Sequence, residues 1–299
     1  MSERSRSNGG GRETLRRSNN NGGGQETTAA VWAAVSGLTV GDAWLRRDEP
    51  KAPELVAKYQ NAIAQLDRGV PFAYAVGSVG FRTLDLKTDP RALIPRPETE
   101  GLVELVLGEI GKRETGNGKR GIVADIGTGS GCIALSLAVE GRFDKIVAVE
   151  QSPAAAALAR ENVKRVAPKT PVEIREGNLL DPLADKGERF RAIVANPPYV
   201  TLTEYDELDR SVREFEPREA LVSGVDGLDA TRALFAGAAP LLEPGGLLAL
   251  EIDERRAEAV RALGREHGWS VTIHDDLFGC HRYALATPGH GPGATRTED

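Results

Sequence analysis

An α/β fold is expected, with a mostly parallel sheet that ends in an antiparallel edge, preceded by a small helical domain and a hairpin linker. Three observations lead there. From residue 122 onward, short apolar runs of strand length alternate with longer helical patterns, which implies a sheet covered on both faces. A loop of alternating glycines, Gly127-Thr128-Gly129-Ser130-Gly131, joins the first of those runs to the helix after it. Upstream, residues 53–68 repeat apolar side chains at helical spacing, and a stretch that lacks this period separates them from the α/β part.

Residues 1–28 hold repeated Gly, Asn, Ser and Arg with almost no large apolar side chain. They bury too little surface to offset the entropy of ordering and are expected to form a disordered tail. Residues 29–70 make the helical domain. Trp32, Val35 and Trp44 begin its apolar pattern, and Leu55, Tyr59, Ile63 and Leu66 share one face of the helix over 53–68. Pro53 suits the first turn of that helix, and Gly69 followed by Pro71 stops it. In the linker, 71–89, Phe72, Tyr74 and Val76, then Phe81, Leu84 and Leu86, with Gly77 and Gly80 between them, predict a short hairpin.

The main domain spans 90–287. Thr99 is placed to cap a helix over 100–112, with Leu102, Val103, Leu105, Val106 and Ile110 facing inward. A polar loop over 112–119 follows, then a strand at 122–126, a helix at 130–140, a strand at 145–150, and a helix that Ser152-Pro153 opens and that reaches residue 166. Further strands fall at 172–175, 192–195 and 247–252. The last is preceded by a helix over 229–242 and a turn at Glu243-Pro244-Gly245-Gly246. Runs at 270–274 and 282–286 supply the antiparallel edge, and residues 288–299 return to Gly, Pro and polar side chains as a second loose tail.

Composition narrows the function classes. The 299 residues suffice for one large domain and one small one, and the 40% hydrophobic share is ordinary for a globular chain. No apolar run is long enough to cross a bilayer, and the first residues lack the apolar stretch of a secretory leader. Two cysteines, Cys132 and Cys280, cannot make a disulfide framework, and His267, His274, His281 and His290 are not spaced with them as metal ligands. A reducing cytoplasm and no metal are therefore expected. A formal charge of −6 at pH 7 weighs against gripping many phosphates, so stable nucleic-acid binding is not expected.

The glycine loop, which Asp125-Ile126 precedes, has the context of a nucleotide site. Glycines let the backbone approach a ligand closely, and a helix start offers free N–H groups. Its spacing alternates and departs from the Gly-x-Gly-x-x-Gly dinucleotide pattern, and it carries no lysine for a polyphosphate. Glu150, ending the next strand about twenty residues on, is placed to accept hydrogen bonds from both hydroxyls of a ribose. Taken singly, the loop is also a plain tight turn and Glu150 a solvated strand end. Together they favour a nucleoside cofactor with a neutral end.

Asn196-Pro197-Pro198-Tyr199 follows the fourth strand of the main domain, at the carboxyl edge where ligands of open α/β sheets bind. An amide nitrogen is a poor nucleophile because its lone pair is delocalised into the carbonyl. The side-chain oxygen of Asn196 and the backbone carbonyl of Pro197 can each accept one N–H of such a group and aim its lone pair. Two fixed carbonyl dipoles also favour the positive charge that grows on the nitrogen during a displacement. The prolines stiffen the segment, and the Tyr199 ring can pack on a planar target. Without the glycine loop upstream, the same four residues read as a loop that ends a strand.

With both motifs in hand, the chain resembles the bacterial release-factor glutamine methyltransferases, the HemK or PrmC family. The resemblance also rests on residues 71–77, Leu93-Ile94-Pro95-Arg96-Pro97-Glu98-Thr99-Glu100, Glu216-Pro217 with Ala220-Leu221, Gly224-Val225-Asp226-Gly227-Leu228, and Leu250-Glu251-Ile252. It implies a class I, Rossmann-like methyltransferase domain that uses S-adenosyl-L-methionine. The implied reaction methylates the side-chain nitrogen (N5) of the glutamine in the Gly-Gly-Gln motif of class 1 peptide-chain release factors. By the same resemblance Gly127, Thr128, Gly129, Ser130 and Gly131 line the methionine part of the cofactor, Glu150 holds its ribose, and Asn178 and Leu179 lie on the adenine side. Asn196 touches both cofactor and glutamine, and Pro197, Pro198 and Tyr199 complete the substrate pocket, with Asn196, Pro197 and Tyr199 as the catalytic set. Arg96, Glu98 and Thr99 either shape the methionine end or form a proline-fixed loop with a helix cap.

Some features depart from the family. An acidic residue is common where Asn178 stands, and a larger ring where Leu179 stands. The helical domain looks shorter than the family's, which bears on docking of the protein substrate. Gly23-Gly24-Gln25 repeats the substrate tripeptide inside the tail, where chance in a Gly-rich stretch is the better explanation and methylation of the chain's own Gln25 the alternative. The resemblance carries a release factor as partner, no membrane, a monomer and a cytoplasmic location. Three rivals stand beside it: methylation of a glutamine in a large-subunit ribosomal protein, amino-methylation of adenine in nucleic acid, and a non-catalytic protein that only binds S-adenosylmethionine.

Overall fold

The computed structural model describes residues 22–112, 120–184 and 186–289, and the chain divides into two compact units, the first ending at Val76 and the second beginning at Gly77. Among the described residues, four helices build the first unit: α1 (Gly22–Ser36), α2 (Val40–Leu45), α3 (Pro53–Leu66) and α4 (Phe72–Val76). Val31, Ala62 and Ala75 are buried at its centre, with Val35, Tyr59, Ile63 and Leu66 packed around them. Thr39 caps α2 by accepting the Asp42 N–H, and Pro53 starts α3.

The structure differs from expectation at two places in this unit. Helix α1 begins at Gly22, inside the stretch expected to be a disordered tail, and its backbone includes Gly23-Gly24-Gln25. Glycines disfavour a helix locally, but the Val31 and Val35 face further along α1 is buried against α3, and tertiary packing overrides local propensity. Residues 72–76 form a helical turn and not the first strand of a hairpin. Ala75 N–H donates to Pro71 O, and Ala73, Tyr74 and Ala75 are buried in succession, which an alternating strand does not allow. Residues 1–21, 290–299 and 113–119, which hold most of the two expected tails and the expected polar loop, lie outside the described residues.

The second unit opens with the hairpin β1 (Ser78–Phe81) and β2 (Leu84–Lys87), in which Phe81 pairs with Leu84 across a two-residue turn. Arg82 occupies the turn at φ +51°, a conformation that costs a non-glycine residue about 1–2 kcal/mol. Charge-assisted bonds offset that cost. The Arg82 guanidinium donates to Glu140 (2.6 Å) and Glu104 (2.7 Å), and its backbone N–H to Glu100 Oε1 (2.9 Å). Helix α5 (Pro97–Lys112) then buries Leu102, Val103, Val106 and Ile110. Because α5 starts at Pro97, Thr99 lies inside its first turn and is not the cap.

The sheet elements follow as β3 (Ile122–Ile126), α6 (Cys132–Glu140), β4 (Lys145–Glu150), α7 (Pro153–Val166), β5 (Val172–Glu176) and β6 (Phe190–Ala195). After two short helices, α8 (Leu202–Glu207) and α9 (Arg210–Phe215), come α10 (Asp229–Gly237), β7 (Leu242–Glu251), α11 (Ala257–Glu266), β8 (Trp269–Asp275) and β9 (His281–Pro288). Strand order is β5-β4-β3-β6-β7-β9-β8, parallel from β5 to β7, with β9 antiparallel to both its neighbours. Val123, Ala148, Val194 and Ala249 point to the face covered by α5 and α6. Their neighbours Ala124, Val149, Ala195 and Leu250 point to the face that Leu234 and Phe235 of α10 and Val260 and Leu263 of α11 cover. Both faces are dry, so the strands read as unbroken apolar runs.

Residues 243–246 are not a turn ahead of the last parallel strand. Leu242 pairs with Phe190 and Leu247 with Ala192, so those residues of β7 bulge opposite the single Arg191 of β6. The chain leaves β3 toward β4 on one side and returns beside it as β6 on the other. That reversal opens a crevice at the carboxyl ends of β3, β4 and β6, and it places Gly127, Glu150 and Asn196 at one edge.

Candidate functional site

Gly127, Gly129 and Gly131 take φ of +71°, +55° and +87°, a region that L side chains avoid, so the alternating glycines are required by the shape of the loop. Four of its N–H groups, those of Gly127, Thr128, Gly129 and Gly131, are engaged within the protein. Gly127 and Thr128 donate to Val149 O, Gly131 donates to Thr128 O, and Gly129 donates to Glu150 Oε2 at 2.8 Å. The start of α6 is also engaged by a carboxylate: Asp125 Oδ2 accepts from Ala134 N–H (3.0 Å) and from the Thr128 hydroxyl. Burial pushes the Asp125 carboxyl up to about 7, against the pull of those two donors. A loop with most of its donors engaged, beside the Glu150 carboxylate, suits a neutral or cationic ligand better than a phosphate.

Glu150 is nearly buried. Its two oxygens each accept one backbone N–H, from Gly129 and from Ser152 (2.9 Å), which fixes the carboxylate plane at the end of β4. Each oxygen keeps a lone pair, so the group can accept two hydroxyls side by side. This geometry fits a ribose. Glu150→Ala is expected to weaken binding of a ribose-bearing ligand about 10- to 100-fold, the worth of two bonds to a charged acceptor less their solvation, measured by equilibrium titration of that ligand.

Asn196 is half-buried and Pro197 buried. Asn196 Nδ2 donates to Thr99 Oγ1 at 3.0 Å, and the Thr99 hydroxyl donates to Glu251 Oε2 at 2.7 Å. The far end of the motif is pinned by a short parallel bridge, in which Val200 N–H donates to Leu221 O and Ser223 N–H to Val200 O. Burial pushes the Tyr199 phenol up to about 12, so it stays neutral.

A second tie closes the opposite wall. The Glu216 carboxylate, 1% exposed, accepts Ile94 N–H (3.2 Å) and the Arg96 guanidinium (2.5 Å), and so fastens the proline-rich 93–97 segment to the end of α9.

These parts line one open cleft. Residues 91–96 and 127–130 form two of its walls, Pro217, Glu219 and Ala220 another, with Thr99, Glu150 and Asn196 between them. The sequence-derived residues Gly127, Thr128, Gly129, Ser130, Glu150 and Asn196 therefore meet in one place. Gly131, Asn178, Leu179, Pro197, Pro198 and Tyr199 are not among the described residues that line it. Leu179, at φ +44°, packs its side chain against the core, while Gly177 N–H donates to Glu150 O and keeps the 176–179 loop beside the ribose-type carboxylate.

The sequence alone places Glu216 within a family-like stretch but assigns it no partner, offers Cys132 only a packing role, and leaves Thr99 between the methionine end and a helix cap. Cys132 lines the cleft, and burial, followed by the Asp125 charge, pushes its thiol up to about 12, so it offers no thiolate. Thr99 could have been found from periodicity. It shares the stripe of Leu102, Val103 and Val106, where a polar side chain needs a buried partner.

A parallel sheet with this strand order, a glycine loop after its first strand and a carboxylate ending the second define a class I methyltransferase domain. Residues 104–213 match the family model described as the methyltransferase small domain. A release factor glutamine methyltransferase from Moorella thermoacetica is 43% identical over 223 residues, 75% of this chain and 76% of that protein. Another from Xylella fastidiosa, strain Temecula1, is 43% identical over 254 residues, 84% of this chain and 88% of that one. The solved protein-(glutamine-N5) methyltransferase (release factor-specific) from Alicyclobacillus acidocaldarius is 29% identical, covers 69% of this chain and 100% of its own, and superposes with a TM-score of 0.42. The chain belongs to the release factor glutamine methyltransferase family.

Proposed function

We propose that the chain transfers a methyl group from S-adenosyl-L-methionine to the side-chain nitrogen (N5) of the glutamine in the Gly-Gly-Gln motif of class 1 peptide-chain release factors. One observation carries the reading. The Asn196 carboxamide has its NH₂ end engaged by Thr99, so its oxygen end is left to the cleft that the 127–130 loop and Glu150 also line. A lone acceptor at that point suits an N–H donor, and a primary amide is a planar N–H donor.

The cofactor supplies an electrophilic methyl group on a sulfonium. Glu150 would hold its ribose, the 127–131 loop its methionine part, and the 176–179 loop its base. Asn196 Oδ1 and the Pro197 carbonyl would take the two N–H groups of the target, opposing amide resonance and turning the nitrogen lone pair toward the methyl. Asn196 is held before the reaction by its bond to Thr99, so the positive charge that develops on nitrogen would meet a dipole that needs little reorganisation. No base is required for the transfer itself, because the nitrogen becomes acidic only after the methyl has moved. The acidic chain and the Glu150 carboxylate in the cleft also weigh against nucleic acid as substrate. Among the described residues no helix is long and apolar enough to cross a membrane. The proposed site of action is the cytoplasm, where release factors work.

Incubation with labelled cofactor and, separately, a class 1 release factor, a large-subunit ribosomal protein and DNA tests the reading. Label is expected on the release factor. Label on the ribosomal protein alone would favour the sister activity, and label on DNA alone would overturn the reading.

A further inference from the structure

We propose that Thr99 and Glu251 form a positioning relay that fixes which end of the Asn196 carboxamide faces the substrate nitrogen, an inference that rests on the glutamine-methyltransferase reading above. A carboxylate only accepts hydrogen bonds. Glu251 Oε2 therefore obliges the single Thr99 hydroxyl proton to point toward it, across 2.7 Å. What remains on Thr99 Oγ1 is lone pairs, which only a donor can satisfy, and the donor 3.0 Å away is Asn196 Nδ2. The chain of donors has one direction, from Asn196 through Thr99 to Glu251, and it leaves Oδ1 as the end turned to the cleft.

The relay matters because the two ends of a carboxamide have nearly the same size. A half-turn of the side chain costs little sterically, yet it would set an NH₂ donor against the N–H groups of the target and remove the acceptor. Thr99 is 2% exposed and Glu251 1%, so water does not replace either partner. In so dry a place the preference for the satisfied arrangement is strong.

The relay also has a pH sense. Around Glu251 stand Arg96 and Glu98 at the start of α5, Arg282 and Tyr283 on β9, Tyr199 of the clamp and Cys132 of α6, with Asp253 just beyond β7. Burial raises the carboxyl most, Glu98 adds to that, and Thr99, Arg282 and Arg96 oppose it. The balance pushes Glu251 up to about 7. Above that pH the carboxylate sets the direction described. Below it the protonated acid can donate to Thr99, Thr99 can then donate to Asn196 Oδ1, and the carboxamide turns. Activity is therefore lost as pH falls through about 7.

The test uses the full chain with S-adenosylmethionine and a class 1 release factor, comparing wild type, Thr99→Val, Thr99→Ser and Glu251→Gln. Thr99→Val keeps the shape and removes the hydroxyl. Its kcat is expected to fall about 10- to 100-fold, with cofactor affinity within about threefold of wild type, while Thr99→Ser restores kcat to within about threefold. Glu251→Gln, which cannot titrate, is expected to lose the acid limb of the kcat profile. A readout independent of turnover is the Asn196 side-chain NH₂ resonance, assigned by its loss in Asn196→Ala. It should be protected from hydrogen exchange in wild type and Thr99→Ser and unprotected in Thr99→Val. An unchanged kcat and NH₂ protection in Thr99→Val, or an unchanged acid limb in Glu251→Gln, overturns the relay alone when wild type labels the release factor. A wild type that binds cofactor and labels no release factor removes the parent reading and the relay with it.

Discussion

Asn196→Ala is expected to lower methyl transfer to a release factor about 10³-fold in kcat while cofactor affinity stays within a few-fold, because removing one fixed dipole aimed at a developing charge costs about 3–4 kcal/mol. The side chain directly follows β6, a strand paired on both edges, next to β3 where the sheet reverses, so the backbone that presents it is anchored by the ladder. Ala195, before it, is fully buried. The substitution removes the acceptor and leaves that backbone in place. Thr99 keeps Glu251 as a partner, so the variant should fold, and thermal unfolding should show a midpoint close to wild type. Steady-state kinetics with saturating cofactor, together with a cofactor titration, separates the two effects. A loss of affinity as large as the loss of rate would mean that Asn196 serves only to hold the cofactor.

Gly227→Ala is expected to damage both stability and activity. Gly227 sits at φ +77°, and a Cβ there would lie 2.4 Å from the backbone oxygen of Tyr199 and 2.5 Å from Arg256 Nε. The first of these atoms belongs to the clamp itself. The second is held in turn, since Arg256 Nε donates to Asp226 O at 2.9 Å and its guanidinium pairs with Glu204 of α8. Neither neighbour is the loose end of a free side chain, so the strain of a left-handed alanine adds to a forced backbone shift. The combined cost is about 3 kcal/mol, a fall in midpoint of about 6–12 °C. At temperatures where the variant remains folded, displacement of the Tyr199 carbonyl should still reduce kcat about 10- to 100-fold, since small misplacements of reacting groups cost that much. Calorimetry and kinetics on the same preparation check both parts. A midpoint and a kcat equal to wild type would show that the 224–228 segment does not support the clamp.

Much of the sheet was legible because its residues carry a double signal. The apolar runs at 122–126 and 145–150 match β3 and β4 in both bounds, and Ser152-Pro153 marks the start of α7, where Ser152 accepts the Ala155 N–H. Glycines at Gly127, Gly129 and Gly131 announce a backbone shape that other residues adopt only at a cost. Elements set by partners distant in sequence were harder to read. The alternation of Phe72, Tyr74 and Val76 suggests a strand, but the packing of Ala75 with Val31 and Ala62 decides for a helix. Pro244-Gly245-Gly246 reads as a turn, and only pairing with β6 shows it to be a bulge within β7.

The site divides the same way. Asn196 and Glu150 follow from motif and position. Glu216 and Glu251 act through residues more than a hundred positions away, Ile94 with Arg96 and Thr99 respectively, and local spacing carries no trace of such pairs.

Methyl transfer at this site requires an amide nitrogen held in line by the oxygen of Asn196 beside the glycine loop. A crystal structure of the chain with S-adenosylhomocysteine and a Gly-Gly-Gln peptide tests it most directly. The peptide glutamine is expected to enter the cleft with its side-chain nitrogen donating to Asn196 Oδ1 and to the Pro197 carbonyl, facing the cofactor sulfur. A glutamine bound outside the cleft, or an Asn196 that turns Nδ2 toward the peptide, would contradict the account.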